Sequence, residues 1–534
     1  MTTGDAFFQD GPQLGNQYQD DLALQKWLKR RMPSAVLQDI APGLDKLGAR
    51  AAGEMLVLTA AAEAQAPQHV PYDAWGRRVD RIEVSDAWKA LHRIAAEEGI
   101  VATGYERRHA EWSRLHQFLR LHLYTPSSAI YSCPLAMTDG AARVIELYGD
   151  QDLKRQVLPH LVSRDAAQFW TSGQWMTERT GGSDVSSTST EARPQGGGWR
   201  LYGTKWFTSA TTSEIAVTLA KDSEAGGKLS LFLLELRDSA GELNDIFVHR
   251  LKDKLGTWAL PTAELSLQGT PAVRVGEPGK GVKQIATVLN ITRLYNASSA
   301  VSYMRRGVAL AADYAGKRRA FGKLLMDQPL HRETLAELEA EYVGALHLVL
   351  HLAALLGKSE TGKAAASDEM LLRLLTPIAK LYTAKQSIAV ASEVLECFGG
   401  AGYVEDTGLP RLLRDCQVLS IWEGTTNVLS LDVLRVLEKP AALDAYAADV
   451  SVRIGKMQDE ALAPYRAQIA RGLQTVRDWL RTTAADRDAL ERGARRLAFS
   501  LARIYVASLF GEAAAEDWIE VPQLRHWCRT LPQP

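Results

Sequence analysis

The chain has 534 residues, and its 62 Lys and Arg against 63 Asp and Glu give a formal net charge of -1 at pH 7. This length exceeds a single hydrophobic core and predicts several domains. The balanced charge excludes an overall field that would draw the chain to nucleic acid or anionic lipid. The four cysteines are far apart and form no CxxC pair, which argues against a disulfide framework or a structural metal site and favours a reducing cytoplasm.

The predicted fold class is α+β, mostly α, and its first part, residues 1–168, is expected to be an N-terminal helical domain. Apolar residues recur there at three-to-four spacing, the mark of amphipathic helices. The segments that carry this period are Asp21 to Arg30, Gly43 to Ala64, Asp86 to Glu98 and Trp112 to Leu123.

Residues 169–284 change to short runs of β-branched and aromatic residues separated by Gly, Asp, Ser and Pro, and predict a small β-barrel or sandwich. The predicted strands are Gly198 to Ser209, Ile215 to Ala220, Leu229 to Leu236 and Ala263 to Leu267.

Residues 285–440 return to long helical periods joined by short turns and predict a four-helix bundle. Gly399 and Gly400 close the helix that starts near Asp368, because glycine accepts the left-handed conformation at a helix end. The apolar run from Leu346 to Leu356 is shorter than the roughly 20 residues a bilayer requires, so no membrane span is expected.

Residues 441–534 predict an extra helical region. Its thirteen Lys and Arg are balanced by twelve Asp and Glu. The extension therefore offers no net electrostatic attraction to a nucleic acid.

A glycine-rich loop, Met176-Thr-Glu-Arg-Thr-Gly-Gly-Ser183, follows an apolar strand. Its backbone amides and the hydroxyls of Thr177 and Ser183 suit a phosphate or the polar edge of a heterocycle. A purely local turn capped by Ser183 and Asp184 remains the alternative. Further along, Trp206 and Thr208 end a strand, and Trp206 is either a barrel core residue or an aromatic packed on a flat cofactor.

Two further segments combine charge with an unusual setting. The run Tyr314-Ala-Gly-Lys-Arg-Arg-Ala-Phe-Gly-Lys323 is either a solvated helix end or a pyrophosphate site. The segment Ser420-Ile-Trp-Glu-Gly-Thr-Thr-Asn427 places Glu423 between a Trp and a Gly, where it is either a satisfied loop acid or a reactive carboxylate. Thr426 or Asn427 could simply cap the next helix.

Taken together, these motifs resemble the acyl-CoA dehydrogenase family in order and spacing across nearly the whole chain. The matching motifs are Met176 to Asp184, Lys254 to Gly256, Gly279 to Gly281, Arg318 to Gly322, Phe398 to Gly402 and Trp422 to Thr425. The early Tyr72-Asp-Ala-Trp-Gly-Arg-Arg78, the long N-terminal segment and the C-terminal extension look like the AidB branch, whose bacterial representative is tied to alkylation resistance.

The resemblance implies an FAD cofactor and a homotetramer. Trp206 and Thr208 resemble the pair that stacks on the flavin and hydrogen-bonds near its N5, and Arg318 and Phe321 resemble residues that reach the FAD of a neighbouring subunit. The full set of implied FAD contacts is Met176, Thr177, Ser183, Trp206, Thr208, Arg318, Phe321, Gly399, Gly400, Thr425 and Asn427.

For the substrate, the resemblance implies an acyl-CoA, contacted by Ser183, Arg293 and Gly424, with Glu423 as the catalytic base. Some relatives place the base beside the position of Arg293, where this chain has Thr292. An electron-transfer flavoprotein is the implied electron acceptor. Several positions depart from the family pattern, namely Arg179 in place of a proline, Glu396 in place of a glutamine, Gln328 one residue early, Thr257 and Trp258 after the Lys-Leu-Gly, and the neighbourhood of Asn290.

Three functions compete on the sequence alone. The first is FAD-dependent α,β-dehydrogenation of an acyl-CoA, favoured by the intact Glu423. The second is an AidB-like flavoprotein with a role in DNA binding or the response to alkylation damage, and the balanced charge predicts weak DNA binding at most. The third is a regulatory or lipid-binding protein without turnover, which would require a lost base.

Overall fold

The structure is a computed structural model that describes residues 10–516 and 521–531. The chain forms two compact units. The terminal unit contains the described residues up to Ala52 and from Ala297 onward, and the central unit is Gly53–Asn296. The predicted division into four segments is not tested by this partition and stays a prediction.

The helices and strands of the described residues follow in chain order. The helices are α1 (Leu22–Arg31), α2 (Ser34–Ala52), α3 (Glu54–Ala64), α4 (Asp86–Glu97), α5 (Ala102–Glu106), α6 (Trp112–Tyr124), α7 (Ser132–Tyr148), α8 (Gln151–Gln156), α9 (Leu158–Leu161), α10 (Gly281–Ala315), α11 (Pro329–Glu360), α12 (Ala366–Cys397), α13 (Pro410–Leu419), α14 (Thr426–Leu437), α15 (Pro440–Gly455), α16 (Ala463–Thr483), α17 (Arg487–Ala515) and α18 (Val521–Arg529). The strands are β1 (Gln68–Tyr72), β2 (Arg78–Glu83), β3 (Ser172–Gln174), β4 (Glu191–Gln195), β5 (Gly198–Ser209), β6 (Ile215–Asp222), β7 (Leu229–Glu235), β8 (Ile246–Leu251), β9 (Thr262–Val275), β10 (Arg319–Ala320) and β11 (Lys323–Leu324). The predicted fold class is confirmed.

Residues 1–168 depart from the purely helical prediction made for them. The expected helix from Gly43 to Ala64 is divided at Gly53 into α2 and α3. A hairpin of β1 and β2 follows, and it was not predicted. Asp80 fixes this hairpin, because its carboxylate accepts hydrogen bonds from Val248 N (3.1 Å) in β8 and pairs with His69 (2.8 Å).

Five strands of the central unit close a barrel, which decides between the two predicted forms. β6 pairs with β7, β7 with β9, β9 with β5, β5 with β4, and β4 again with β6. β3 adds to β6 and β8 adds to β9. The strands β4 and β8 were not predicted.

Alternate residues of β6 and β7 belong to two separate cores, which explains why both strands are mostly apolar. Val217 and Leu231 pack with residues of α7 and the start of α10. Ala216 and Phe232 pack with residues of β5 and β9. The barrel is therefore filled on the inside and covered on the outside by helices.

The terminal unit is built from long helices, and its last helix is locked in by one aromatic ring. Trp527 of α18 is fully buried and donates from Nε1 to Ala340 O of α11 at 2.9 Å. Gly344, one turn further along α11, lies so close to the Trp527 ring that a side chain there would collide with it. The C-terminal extension is thus packed directly on the bundle.

Buried charges also join the extension to the rest of this unit. Glu512 of α17 forms ion pairs with Arg453 of α15 and with Arg31 of α1, the second at 3.1 Å. Tyr505 hydrogen-bonds Asp449 (2.7 Å) and His351 of α11 (2.9 Å). Since such groups are costly to bury unless paired, the network specifies how these helices meet.

Two helices of the described chain, Pro329–Glu360 and Arg487–Ala515, are long and apolar enough to cross a membrane by length and composition. Most of the apolar window of each is buried inside the protein. Among the described residues, no group of three or more His, Cys, Asp or Glu side chains is arranged to hold a metal ion.

Candidate active site

The glycine-rich loop leaves β3 as a compact, tightly folded segment of the central unit. Met176 is buried in the core beside β6. Glu178 and Gly181 exchange backbone hydrogen bonds of 3.2 and 3.0 Å, and Gly181 has φ +133°, a region that favours glycine. Gly182 packs against the Thr177 side chain, so a larger residue there would displace Thr177. Ser183 is exposed at the end of the loop.

A buried ion pair fastens this loop to the barrel. Glu178 accepts hydrogen bonds from the backbone N–H of Ser189 (2.7 Å) and Thr190 (3.1 Å) and from Lys205 Nζ (2.9 Å). Burial alone would raise the pKa of Glu178, but the charge of Lys205 and these hydrogen bonds outweigh it and lower the pKa to about 2. The carboxylate is therefore ionised and structural.

The end of β5 is irregular where the loop meets it. Its pairing with β9 shifts between Lys205 and Thr208, and Trp206 N donates instead to Thr177 O at 3.0 Å. Trp206 is half-buried, and Lys252 Nζ lies 4.0 Å from its ring centroid. An aromatic ring is thus held against the glycine-rich loop, as a ring that stacks on a flat cofactor would be.

Thr208 differs from the expectation that its hydroxyl bonds near the flavin N5. The side chain is fully buried, and its hydroxyl donates to Ala263 O at 2.7 Å. A hydroxyl that already donates its proton retains only acceptor capacity. In this geometry Thr208 supports the strand and is not a free donor.

On α10, Thr292 is buried, and its hydroxyl bonds back to Val288 O and Leu289 O, both at 3.2 Å. It carries no carboxylate that could serve as a base. Arg293 is half-buried beside it.

In the terminal unit, Glu423 lies in the turn Ser420–Thr425 between α13 and α14, called here the base turn. Glu423 has φ +56° and Gly424 has φ +100°. A left-handed conformation costs a non-glycine residue roughly 1–2 kcal/mol, so its surroundings must hold it. Lys380 of α12 does so in part, because its fully buried Nζ donates to Gly424 O at 2.6 Å.

Donor groups for an anion or a cofactor surround this turn. Thr425 is the N-cap of α14, and its side chain accepts from Val428 N at 3.5 Å. The first turn of a helix has free N–H groups and favours negative charge, and Asn427 is exposed there. The Nε1 of Trp422 is buried and has no hydrogen-bond partner among the described residues.

The basic run after α10 forms a short hairpin of β10 and β11. Phe321 and Gly322 make its turn with φ +51° and +77°. Phe321 is 96% exposed, an unusual combination of a bulky ring, a left-handed backbone and full solvent access. Arg318 is half-buried at the base of the hairpin.

The segment of Gly399 and Gly400 starts close to the end of α10. The rings of Tyr314 and Phe398 lie 4.7 Å apart, between the last turn of α10 and the end of α12. Gly399 has φ +58°, as predicted for a helix end, and a side chain added at either glycine would meet open space. Arg318 N donates to Tyr314 O at 2.9 Å, and Phe398 directly precedes the two glycines. Arg318 and the glycines therefore lie in neighbouring parts of the terminal unit.

The structure thus distributes the predicted site residues between the two units. The terminal unit holds Glu423, Gly424, Thr425, Asn427, Arg318, Phe321, Gly399 and Gly400. The central unit holds Met176, Thr177, Ser183, Trp206, Thr208 and Arg293.

Sequence reasoning missed two buried lysines, Lys205 and Lys380. A single cation within the apolar stretch Pro377-Ile-Ala-Lys-Leu-Tyr382 was the available signal for the second. Lysine is almost never fully buried unless it has a partner.

Comparison with known protein families matches four parts of the chain. The AidB N-terminal domain matches residues 12–166, the acyl-CoA dehydrogenase middle domain residues 173–270 and the acyl-CoA dehydrogenase C-terminal domain residues 279–438. The C-terminal domain-like family of acyl-CoA dehydrogenase 11 matches residues 441–531.

Comparison with individual proteins points to the same family. Acyl-CoA dehydrogenase family member 11 of Caenorhabditis elegans is 44% identical over 96% of this chain and 86% of its own length. The structure of C. elegans ACDH-11 in complex with C11-CoA has a TM-score of 0.94 at 42% identity, covering 99% of this chain and 93% of that one. AidB of Escherichia coli (strain K12) is 32% identical over 76% of this chain and 75% of its own length. The Bd2924 apo-form structure has a TM-score of 0.87 at 54% identity, covering 98% and 99%.

The chain belongs to the acyl-CoA dehydrogenase family, in the branch that carries an AidB-type N-terminal domain. This confirms the resemblance inferred from the motifs and identifies the chain as an enzyme of that family.

Proposed function

We propose that the protein carries out FAD-dependent α,β-dehydrogenation of an acyl-CoA thioester with Glu423 as the base. The observation that carries the proposal is the base turn, where a half-buried carboxylate sits in a left-handed conformation held by a buried lysine. Unusual backbone conformations that are held in this way are concentrated at functional sites. A surface acid would need no such support.

Glu423 removes the proton next to the thioester carbonyl. A proton of this kind is weakly acidic, so the enolate must be stabilised by hydrogen-bond donors as it forms. Trp422 limits the access of water to the carboxylate. FAD, when bound, supplies the acceptor for the β-hydride.

The residues present suit FAD. Trp206 offers a ring face, Arg318 a guanidinium fork for a pyrophosphate, and the start of α14 offers free N–H groups beside Thr425 and Asn427. We assign the open glycine segment at Gly399 and Gly400 to the same cofactor.

We further propose a homotetramer in which Phe321 reaches the FAD of a neighbouring subunit. Its ring supports this, since a bulky residue that combines a left-handed backbone with nearly full exposure is an unusual feature of a hairpin turn. Arg318→Ala should then weaken FAD binding and assembly together. Size-exclusion chromatography with FAD quantification tests this, with Arg319→Ala on the exposed side of the hairpin as the matched control.

The proposed substrate is an acyl-CoA, as expected from the C11-CoA complex of the similar ACDH-11. Ser183, Arg293 and Gly424 are the proposed contacts, and an electron-transfer flavoprotein is the proposed acceptor. Anaerobic titration with acyl-CoAs of increasing length, followed by flavin bleaching, tests the activity. Absence of bleaching with every chain length would refute dehydrogenation.

A second candidate is an AidB-like role in DNA binding, and one observation favours it. Arg492, Arg495 and Arg496 of α17 are exposed, and none has an ion-pair partner among the described residues. They offer a local basic surface that net charge does not reveal. Salt-resistant binding of a DNA duplex that is lost in Arg492→Ala/Arg496→Ala would support this role, whereas binding abolished at physiological salt would rule it out.

A further inference from the structure

The helix α12 presents two side chains toward the segment that carries Glu423. Arg373 pairs with Asp432 of α14 at 2.8 Å. About two helical turns later, and so on the same face, Lys380 donates to Gly424 O at 2.6 Å. The helix α12 therefore contacts both the base turn and α14, the helix that follows it.

The two contacts differ in environment. The Arg373 side chain is partly exposed, whereas Lys380 has no exposed surface. Burying an ammonium group is costly unless hydrogen bonds compensate for it, and an apolar side chain of equal size would fill the same space. A role in packing alone does not account for a cation at this position.

The acceptor of this hydrogen bond is the carbonyl of Gly424, the residue that follows the proposed base. Glu423 and Gly424 both have positive φ, so the peptide planes of the turn are set by outside contacts. The Gly424 carbonyl belongs to the peptide that joins Gly424 to Thr425, so the bond from Lys380 anchors the turn one residue after Glu423. This anchor limits the backbone conformations open to Gly424 and, through it, the direction of the Glu423 side chain.

We propose that Lys380 is a positioning residue for Glu423. Its buried ammonium holds the Gly424 carbonyl so that the carboxylate faces the α-carbon of the bound thioester. Lys380 itself does not touch the substrate. The inference rests on the proposed function, because Lys380 affects the reaction only by positioning Glu423.

The test separates proton removal from hydride transfer. An acyl-CoA analogue in which sulfur replaces the β-carbon keeps its α-hydrogens but has no β-hydride to lose. In D2O, Glu423 takes an α-proton and a deuteron returns to the same carbon, with no oxidation or reduction. Mass spectrometry of the analogue measures this exchange, and flavin absorbance measures its binding.

Lys380→Met retains the length of the side chain and removes the donor. We expect FAD content and analogue affinity to stay at the wild-type level while the exchange rate falls about 10- to 100-fold, because small misplacements of a reacting group have effects of that size. Lys380→Gln, which keeps a shorter donor, should recover part of the rate. Arg373→Met is the matched control, because it removes the other contact of α12 and should leave exchange unchanged.

Two results would overturn the inference. One is wild-type exchange in Lys380→Met, and the other is a joint loss of stability, FAD and analogue binding, which would show that Lys380 only holds the bundle. If Lys380→Met does not fold, Gly424→Ala displaces the same carbonyl from the other side, since φ +100° strains an alanine. Unchanged exchange there would equally overturn the inference.

A different set of results would refute the proposed function itself. If the wild type shows no exchange, or Glu423→Gln exchanges at the wild-type rate, then Glu423 is not the base. If Glu423→Gln abolishes exchange and Lys380→Met does not alter it, only the role of Lys380 is refuted.

Discussion

The ammonium of Lys205 lies 2.9 Å from the carboxylate of Glu178, and both side chains are almost completely buried in the central unit. Lys205 directly precedes Trp206, and Glu178 belongs to the glycine-rich loop. A single ion pair therefore fixes the relative position of the two segments expected to contact FAD.

Lys205→Met is expected to lower the free energy of unfolding by about 3–5 kcal/mol, because it leaves a buried carboxylate without its partner. FAD content should fall with it, since the loop is released. Urea denaturation and flavin absorbance measure the two effects. The exposed pair of Arg193 and Glu191 (2.8 Å) supplies the control, and Arg193→Met should cost less than about 1 kcal/mol. Equal effects of the two substitutions would contradict the structural role of the buried pair.

Glu423→Gln should keep FAD and the fold but slow flavin reduction by acyl-CoA by at least about 10²- to 10⁴-fold, because an amide cannot accept the α-proton. Stopped-flow absorbance under anaerobic conditions measures the rate. Glu438→Gln, at the exposed far end of α14, is the control and should reduce at the wild-type rate. Similar rates for Glu423→Gln and the wild type would remove Glu423 from the mechanism.

Phe321→Gly should change the free energy of unfolding of the isolated chain by less than about 1 kcal/mol. Relief of the left-handed backbone and the greater entropy of glycine in the unfolded state oppose each other. FAD affinity and assembly should nevertheless decline, since the exposed ring is lost. Analytical ultracentrifugation with and without FAD tests this. An FAD-loaded tetramer of normal stability would show that the ring has no part in either.

Two buried histidines of α11 should make the terminal unit sensitive to acid. Burial, reinforced by the charge of Arg31, lowers the pKa of His347 to about 3, and burial beside Arg453 lowers the pKa of His351 as well. Above the ordinary histidine pKa of about 6.5, both histidines are neutral in the folded and in the unfolded chain, so they do not lower the free energy of unfolding. Below this pKa the unfolded chain takes up protons that the folded chain refuses, and stability falls by up to about 1.4 kcal/mol per pH unit for each histidine.

His347→Phe tests this directly, because the ring can still stack on Phe510. Urea denaturation at pH 7.5 and pH 5.0 should show a smaller difference in the variant than in the wild type. An unchanged difference would mean that other groups cause the acid sensitivity.

Much of the fold was predictable because it depends on local periodicity. β5 was predicted with its observed bounds, and α4 to within one residue. The hairpin of β1 and β2 was missed, because its strands are short and partly polar and are held by Asp80 contacts with distant β8. Periodicity carries no information about such a contact.

The candidate site was predictable as a set of residue types, but its geometry was not. Glu423 and the loop residues stand out by motif. The left-handed conformation of Glu423 and the bond of Lys380 to the Gly424 carbonyl depend on a contact between α12 and a turn distant in sequence. The hydrogen bond from the Thr208 hydroxyl to Ala263 O likewise depends on the register between β5 and β9.

The terminal unit is assembled from both ends of the chain, and Arg31 of its first helix pairs with Glu512 near its last. During synthesis the central unit is complete on the ribosome long before α17 has been translated. Since domains fold as units and largely in the order in which they emerge, α1 and α2 cannot begin to pack until α10 and α11 have emerged, and the contact of Arg31 with Glu512 must wait for α17. We expect a nascent chain truncated before α11 to bind chaperones through α1 and α2, while its central unit already resists proteolysis.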